Sequence, residues 1–328
     1  MAESKGKITR HILAADLGGT NSRFAHFRVD ERGELALAAR IWLKTGEAAS
    51  FADLLKNLQA SSFAFTPQEA DIVGIAVAGP VLEGVRSTPP LIPWEIDLSQ
   101  ARRDYGFPRS FLINDFVAQA FACLSSLGQS AEVIQEGSSD ARAAIAVLGA
   151  GTGLGKACLI PDGRGGYQAN PSEGAHAAFP FNGDREWALQ AFFAKRHQVQ
   201  YATYNHVVSG TGLAAIHEFL TGSRLEPAQV AAQFSLHPET LAWFGRFYGR
   251  ACRDFALETL ARGGLYIAGG VAAHNPEILR HGSFRDEFLN SETMRPILAR
   301  VPVFLIRDQD SGLWGVAVRA VREMADLA

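Results

Sequence analysis

Cysteine is scarce: Cys123, Cys158 and Cys252 are the only three in 328 residues, and they stand far apart. An odd, scattered set without a C-x-x-C pair excludes a zinc knuckle and a disulfide framework, leaving buried reduced thiols. Long apolar runs are missing too. The stretch after Lys5, Lys7 and Arg10 is interrupted at Asp16, too soon for a signal-peptide core or a membrane span. A cytoplasmic protein with no membrane partner is expected. Surplus positive charge is also lacking: a formal net charge of −3 carries no footprint for nucleic acid, and no nucleic-acid partner is expected. Local anion sites built from backbone N–H groups would not show in net charge. What remains is an ordinary globular composition, 47% hydrophobic and 20% charged, on a chain long enough for two domains or two lobes around a cleft.

Patterning along the chain alternates strands and helices. Ile12–Ala15 and Arg23–Val29 read as strands joined across Gly18-Gly19, with a further apolar stretch at Leu35–Leu43. Ser50 then precedes Phe51, Leu54, Leu55 and Leu58, an i, i+3, i+4, i+7 stripe behind an N-cap, which predicts a helix. Ile72–Ala78 reads as a buried strand stopped by Gly79-Pro80. Phe111–Ile113 is a strand followed by a helical pattern. Ala144–Leu148 and Lys156–Ile160 are strands around a glycine loop. Helical patterns follow near 187–196, 212–220 and 239–260; Leu265–Ala268 and Val301–Ile306 read as strands, and a terminal helix begins near Leu313. Strand meander, helix, strand, helix thus occurs from residue 12 and again from about 144. Two similar α/β halves around a cleft fit this order, and one large doubly wound sheet is the alternative.

Three glycine-rich turns follow strands: Asp16-Leu17-Gly18-Gly19-Thr20-Asn21, Gly149–Gly155 with Thr152 inside it, and Gly269-Gly270. Glycine lets backbone N–H groups approach and converge on phosphate oxygens; singly, each turn is equally a tight hairpin. There is no G-x-x-x-x-G-K-[ST] run, so a P-loop is excluded. The Gly149 segment has Leu154 at the last position of a G-x-G-x-x-G spacing and a strand after it, where a dinucleotide site needs a helix. Asp16 is placed to approach a bound Mg²⁺ through water, or else to cap its own turn.

Asn114-Asp115 sits where a strand passes into a helix, a frequent position for ligand-facing groups, and spacing alone favours Asp115 as a helix N-cap over a catalytic base. Glu173 and His176 share a Pro/Gly/Ser-rich loop. No second E-x-x-H copy exists to make a di-metal site, and the pair suits neighbouring sugar hydroxyls, which both donate and accept.

Taken together these motifs resemble the bacterial glucokinase family, of the hexokinase/actin-like ATPase superfamily. Asp16–Arg23 is similar to its first phosphate motif, Ile113–Phe116 to its catalytic motif, Gly149–Gly155 to its second phosphate motif and Ile267–Val271 to its adenosine motif. Ser209–Leu213 and Ser311–Gly315 also match in kind and order, so the resemblance covers almost the whole chain. It implies a two-lobed actin-like (ribonuclease H-like) α/β fold with the active site in the interlobe cleft. The small lobe would be residues 1–113 completed by helix 313–328, and the large lobe 114–312. It implies ATP and Mg²⁺ as cofactors and a homodimer acting on a small sugar, glucose first. ATP would be held by Ala15, Asp16, Leu17, Gly18, Gly19, Thr20 and Asn21 from the first turn, by Gly151, Thr152 and Gly153 from the second, and by Gly269 and Gly270. Asp115 becomes the general base, and Asn114, Glu173, His176 and Asn205 the sugar ligands. Two positions depart from the family pattern. Asn205 stands where the family has Glu, and Pro90-Leu91 where it has Thr-Asn before Pro-Trp. A kinase for another hexose or an amino sugar, and a sugar-binding regulator without turnover, are the alternatives.

Overall fold

The computed structural model describes residues 8–325. Its first strands form an antiparallel meander: β1 (Ile8–Leu17), β2 (Asn21–Asp30) and β3 (Leu35–Lys44). β4 (Ile72–Val77) follows, then a two-strand ladder of β5 (Arg86–Ser87) and β6 (Ile96–Asp97), and β7 (Ser110–Asn114). The main sheet has the order β3-β2-β1-β4-β7, with β1, β4 and β7 parallel. All six residues of β4 are buried, which is why its sequence reads as one apolar run rather than an alternation.

Both faces of this sheet are covered. On one lies the helix Phe51–Ala60, whose Ser50 cap accepts the Asp53 N–H at 3.1 Å and whose buried residues are Phe51, Leu54, Leu55 and Leu58. On the other, Leu313, Val316, Ala317 and Ala320 of the C-terminal helix Ser311–Ala325 pack with Ile12, Ala14 and Phe27. The helix Asp115–Ala122 crosses that C-terminal helix closely: a Cβ on Gly315 would lie 1.7 Å from the Ala118 carbonyl oxygen. The unit accordingly runs to Gln129 and resumes at Asp310, taking in the Asp115 helix, whereas the sequence reading put its boundary at residue 113.

The second unit, Ser130–Gln309, is built around β8 (Glu132–Gln135), β9 (Ile145–Ala150), β10 (Leu154–Pro161), β11 (Tyr167–Ser172), β12 (Gly264–Ala268) and β13 (Val303–Leu305). Their order is β11-β10-β9-β12-β13-β8. The first five positions repeat the first unit: an antiparallel meander, then two parallel strands beside its opening strand. The sequence's two similar halves are therefore two separate sheets, and a single doubly wound sheet is ruled out.

The long helix Pro238–Thr259 supplies the largest share of the second core, with Phe244, Phe247, Tyr248 and Phe255 buried along it. It also carries Arg250 inside the protein. That guanidinium donates to Glu186 at 2.6 Å, to Glu287 at 2.7 Å and to the Pro180 carbonyl at 2.7 Å. A buried charge persists only with such partners.

Candidate active site

In the first unit the ends of three parallel strands define one edge. Leu17 of β1 pairs with Val77 of β4, and Val77 with Asn114 of β7. The Gly18 turn, Gly79 and Asp115 therefore emerge at the same edge, outside the carboxyl ends of the strands, where α/β sheets place their ligands. Within the turn, Gly18 N–H donates to Asn21 O at 3.0 Å, and the Gly18 carbonyl accepts the Thr45 hydroxyl at 2.6 Å. Gly19 cannot be another residue, because a Cβ there would lie 2.7 Å from Leu91 Cβ and 2.9 Å from its carbonyl oxygen. Pro90 packs in the same way on Gly79, at 2.8 Å from a Cβ position there. The departure at Pro90-Leu91 thus lies directly against the first phosphate turn.

Asp16, the last residue but one of β1, lies beside Arg23, at 3.3 Å. Burial raises its carboxyl above the usual carboxylate range; Arg23 opposes this and the Asp310 charge adds to it. Asp310 is itself buried and bonded to Arg40. Asp16 Oδ2 would lie 2.7 Å from a Cβ on Gly312, so the C-terminal helix opens with glycine where the carboxylate approaches. A carboxylate at that strand end whose charge is disfavoured by burial gains from a cation beside it. Among the described residues no group of three His, Cys, Asp or Glu could hold a metal alone, so a Mg²⁺ there would depend on phosphate and water oxygens as well.

Asn114 and Asp115 divide the roles that sequence left joined. Asn114 is the N-cap: its Oδ1 accepts from Phe116 N–H at 2.9 Å and Val117 N–H at 3.2 Å, while its Nδ2 donates to Gly79 O at 3.1 Å. Asp115 is the first residue of the helix, half-buried, with Oδ1 3.0 Å from the Phe116 N–H. The cap assigned to Asp115 by spacing belongs to its neighbour.

In the second unit the matching edge is formed by β9 and β12, with Gly149 opposite Ala268. A Cβ on Gly149 would lie 2.2 Å from the Ala268 carbonyl oxygen, and one on Gly269, at φ +87°, would lie 2.6 Å from Ala150 O. Beyond these strands Gly151, Thr152, Gly210, Gly270 and Val271 line a cavity of about 710 Å³. Leu213, Pro227, Ala228 and Ala231 give it an apolar wall, and His274, Asn275 and Glu277 a polar one. Its dimensions and mixed lining suit a nucleotide. His274 Nδ1 donates to Gly270 O at 2.7 Å, which leaves Nε2 to accept from Gln309.

Glu173 caps and His176 ends a short 3-10 turn, and both side chains are 67% exposed, with Glu173 Oε2 3.7 Å from His176 Nε2. Behind them lies a residue that sequence reading passed over. Lys156 is 2% exposed, its Nζ lacks a hydrogen-bond partner among the described residues, and it sits over the Tyr204 ring at 4.3 Å and the Phe255 ring at 5.1 Å. Burial lowers its pKa, opposed by the Glu258 and Asp254 charges. The signal was present in a single lysine within the apolar stretch Lys156–Ile160. Asn205 is half-buried, and its Oδ1 accepts the Leu154 N–H at 2.8 Å.

These two glycine-lined edges match known proteins across their whole extent. The family model described as Glucokinase matches residues 13–323. A glucokinase from Nostoc sp. (strain PCC 7120) is 32% identical over 343 residues, covering 95% of this chain and 99% of its own. The crystal structure of a glucokinase from an Antarctic psychrotroph is 27% identical, with a TM-score of 0.81 over 96% of this chain and 99% of its own. A glucokinase from Balamuthia mandrillaris, solved in complex with glucose, shares the fold at 19% identity and a TM-score of 0.78, covering 98% and 96%. Nearly all of both sheets, all three glycine turns and the Asp115 helix lie inside the matched span, and the chain belongs to the glucokinase family as an ATP-dependent sugar kinase.

Proposed function

We propose that this enzyme transfers the γ-phosphoryl group of ATP to O6 of glucose, with Asp115 as general base. The observation that carries this is the position of Asp115: it heads its helix at the same edge as the Gly18 turn, and Asn114 has already capped that helix. A carboxylate so placed accepts the proton of the attacking hydroxyl. Phosphoryl transfer otherwise needs positioning and charge neutralisation more than covalent chemistry.

Gly19, Thr20, Thr152 and Gly153 offer backbone N–H groups to the phosphates, and the 710 Å³ cavity takes the nucleoside. Asp16 would hold Mg²⁺, and the ion would supply charge neutralisation to the phosphates. Glu173 and His176 hold sugar hydroxyls. Asn114 adds the Nδ2 hydrogen that Gly79 leaves free. The enzyme acts as a cytoplasmic homodimer on a small sugar, without a nucleic-acid or membrane partner. The net charge of −3 and three buried free cysteines support that setting. No helix among the described residues is long and apolar enough to cross a membrane.

A second reading, a kinase for another hexose or an amino sugar, is favoured by Leu91 and Asn205, since each departs from the family pattern and touches a phosphate turn. ADP release measured over a panel of sugars separates the two. Glucose should give the highest kcat/KM, and a tenfold preference for another sugar would reassign the substrate.

A further inference from the structure

Asn205 stands on a short helical turn, Tyr204–Val207, that is fixed from several directions. Thr203 N–H donates to His206 Nδ1 at 3.1 Å, and His206 N–H donates back to Thr203 Oγ1 at 3.3 Å. Tyr204 N–H donates to Ala177 O at 3.2 Å, next to the Glu173–His176 turn, and the Tyr204 hydroxyl donates to Asp254 at 2.6 Å. A side chain on such a base has little freedom.

From there Asn205 reaches the loop between β9 and β10 and takes the Leu154 N–H on its Oδ1 at 2.8 Å. Only the oxygen of an amide accepts, so this bond sets which way the group faces and leaves Nδ2 as its remaining donor. A Cβ on Gly153 would lie 2.5 Å from that same Oδ1. Gly153 has no positive φ, so glycine is required there to admit Asn205 rather than to allow a special backbone angle. Two further bonds complete the loop: Gly151 N–H donates to Gly153 O at 2.7 Å, and Gly210 N–H donates to Gly151 O at 2.9 Å. With the Gly151 and Leu154 N–H groups engaged, the loop's remaining donors are the Thr152 and Gly153 N–H groups and the Thr152 hydroxyl.

We propose that Asn205 is a positioning residue of this phosphate loop, holding Gly151–Leu154 so that Thr152 and Gly153 face the nucleotide. Its removal therefore acts on ATP more than on sugar, although the residue stands at a position where the family pattern has a carboxylate. The inference rests on the reading of the loop as phosphate-binding. It also accounts for the amide at position 205. A neutral oxygen satisfies the Leu154 N–H without adding a negative charge beside a polyanion.

The test compares wild type with Asn205→Ala, Asn205→Asp and Gly151→Ala, using KM for ATP, KM for glucose, kcat and NMR hydrogen exchange of the Leu154 amide. Asn205→Ala should raise KM for ATP by roughly tenfold, the effect of one lost hydrogen bond, and change KM for glucose by less than about threefold. The Leu154 amide should exchange faster in Asn205→Ala and stay protected in Asn205→Asp, which keeps an acceptor oxygen. An Asn205→Ala enzyme with a tenfold higher KM for glucose and unchanged KM for ATP would make Asn205 a sugar ligand and overturn the proposal. Gly151→Ala tests the underlying reading separately, because a Cβ there meets nothing within 4 Å in the protein and projects into free space. If Gly151→Ala raises KM for ATP and Asn205→Ala does not, the positioning role alone fails. If neither does, the loop is not the phosphate site.

Discussion

Gly315→Ala changes one hydrogen to a methyl, far from any reacting atom, and should nonetheless damage both stability and turnover. Gly315 lies within the C-terminal helix where the Asp115 helix crosses it. The new Cβ would stand 1.7 Å from Ala118 O and 3.0 Å from Ala122 N. Carbon–oxygen contacts settle near 3.3 Å, so the two helices must part by roughly 1.6 Å. Overpacking of this kind costs about 1–3 kcal/mol, and backbone against methyl belongs at the upper end because neither group can rotate away. Alanine returns about 1 kcal/mol of helix propensity. The net of about 2 kcal/mol corresponds to a Tm lower by about 4–8 °C for a unit of this size. Asp115 heads the displaced helix, and a shift of about 1 Å in a catalytic group can lower kcat a hundredfold. Differential scanning calorimetry and an ADP-release assay on the purified variant read both effects. The sign decides the matter: without the close crossing, propensity alone would raise Tm and leave kcat unchanged, and that result would refute the packing described here.

Further expectations concern groups outside the reacting centre. Arg250→Met leaves Glu186 and Glu287 buried, at 4% and 8% exposure, with Arg246 and Arg253 as their remaining cations among the described residues. Breaking such a network from one side costs about 3–5 kcal/mol, and urea unfolding should show Glu186→Gln/Arg250→Met/Glu287→Gln more stable than Arg250→Met alone. Acid should destabilise the first unit through His26, which burial, His11 and Arg28 lower to about 4. An unfolded histidine titrates near 6.5, so the native state binds fewer protons between those values. The contribution of neutral His26 is complete above about pH 6.5 and is lost as pH falls towards 4. Tm should therefore decline from pH 7 to pH 5 in wild type, and less steeply in His26→Gln.

Much of the fold was legible because local chemistry and tertiary packing agree. The Ser50 cap and the stripe of Phe51, Leu54, Leu55 and Leu58 specify a helix before anything packs against it, and it forms as expected. The buried run at Ile72–Val77 and the first meander were readable for the same reason, whereas the third strand of the second meander, β11, was not read. The short β8 and β13 were harder: β8 was missed, and the strand expected at Val301–Ile306 shortens to Val303–Leu305. Edge and near-edge strands of three or four residues carry too few side chains to show a period. At the site, the glycine turns were visible but the reasons for individual glycines were not. Gly19, Gly153 and Gly315 are each demanded by a neighbour distant in sequence, Leu91, Asn205 and Ala118 respectively. The exchange of roles between Asn114 and Asp115 was equally hidden, because either residue type caps a helix and only the geometry shows which one does. Lys156 was passed over because a lone lysine in a strand is ordinarily a solvated residue, and its burial depends on Tyr204 and Phe255 from remote helices.

The claim that Asp115 is the base is tested most directly by Asp115→Asn, which keeps the shape of the side chain and removes its basicity. Single-turnover phosphorylation of glucose, with calorimetric binding of glucose and of a non-hydrolysable ATP analogue on the same preparation, gives the needed comparison. The account predicts both ligands bound within about threefold of wild type and a rate lower by about 10²–10⁴-fold. A variant that binds both ligands and keeps a tenth or more of the wild-type rate would contradict it.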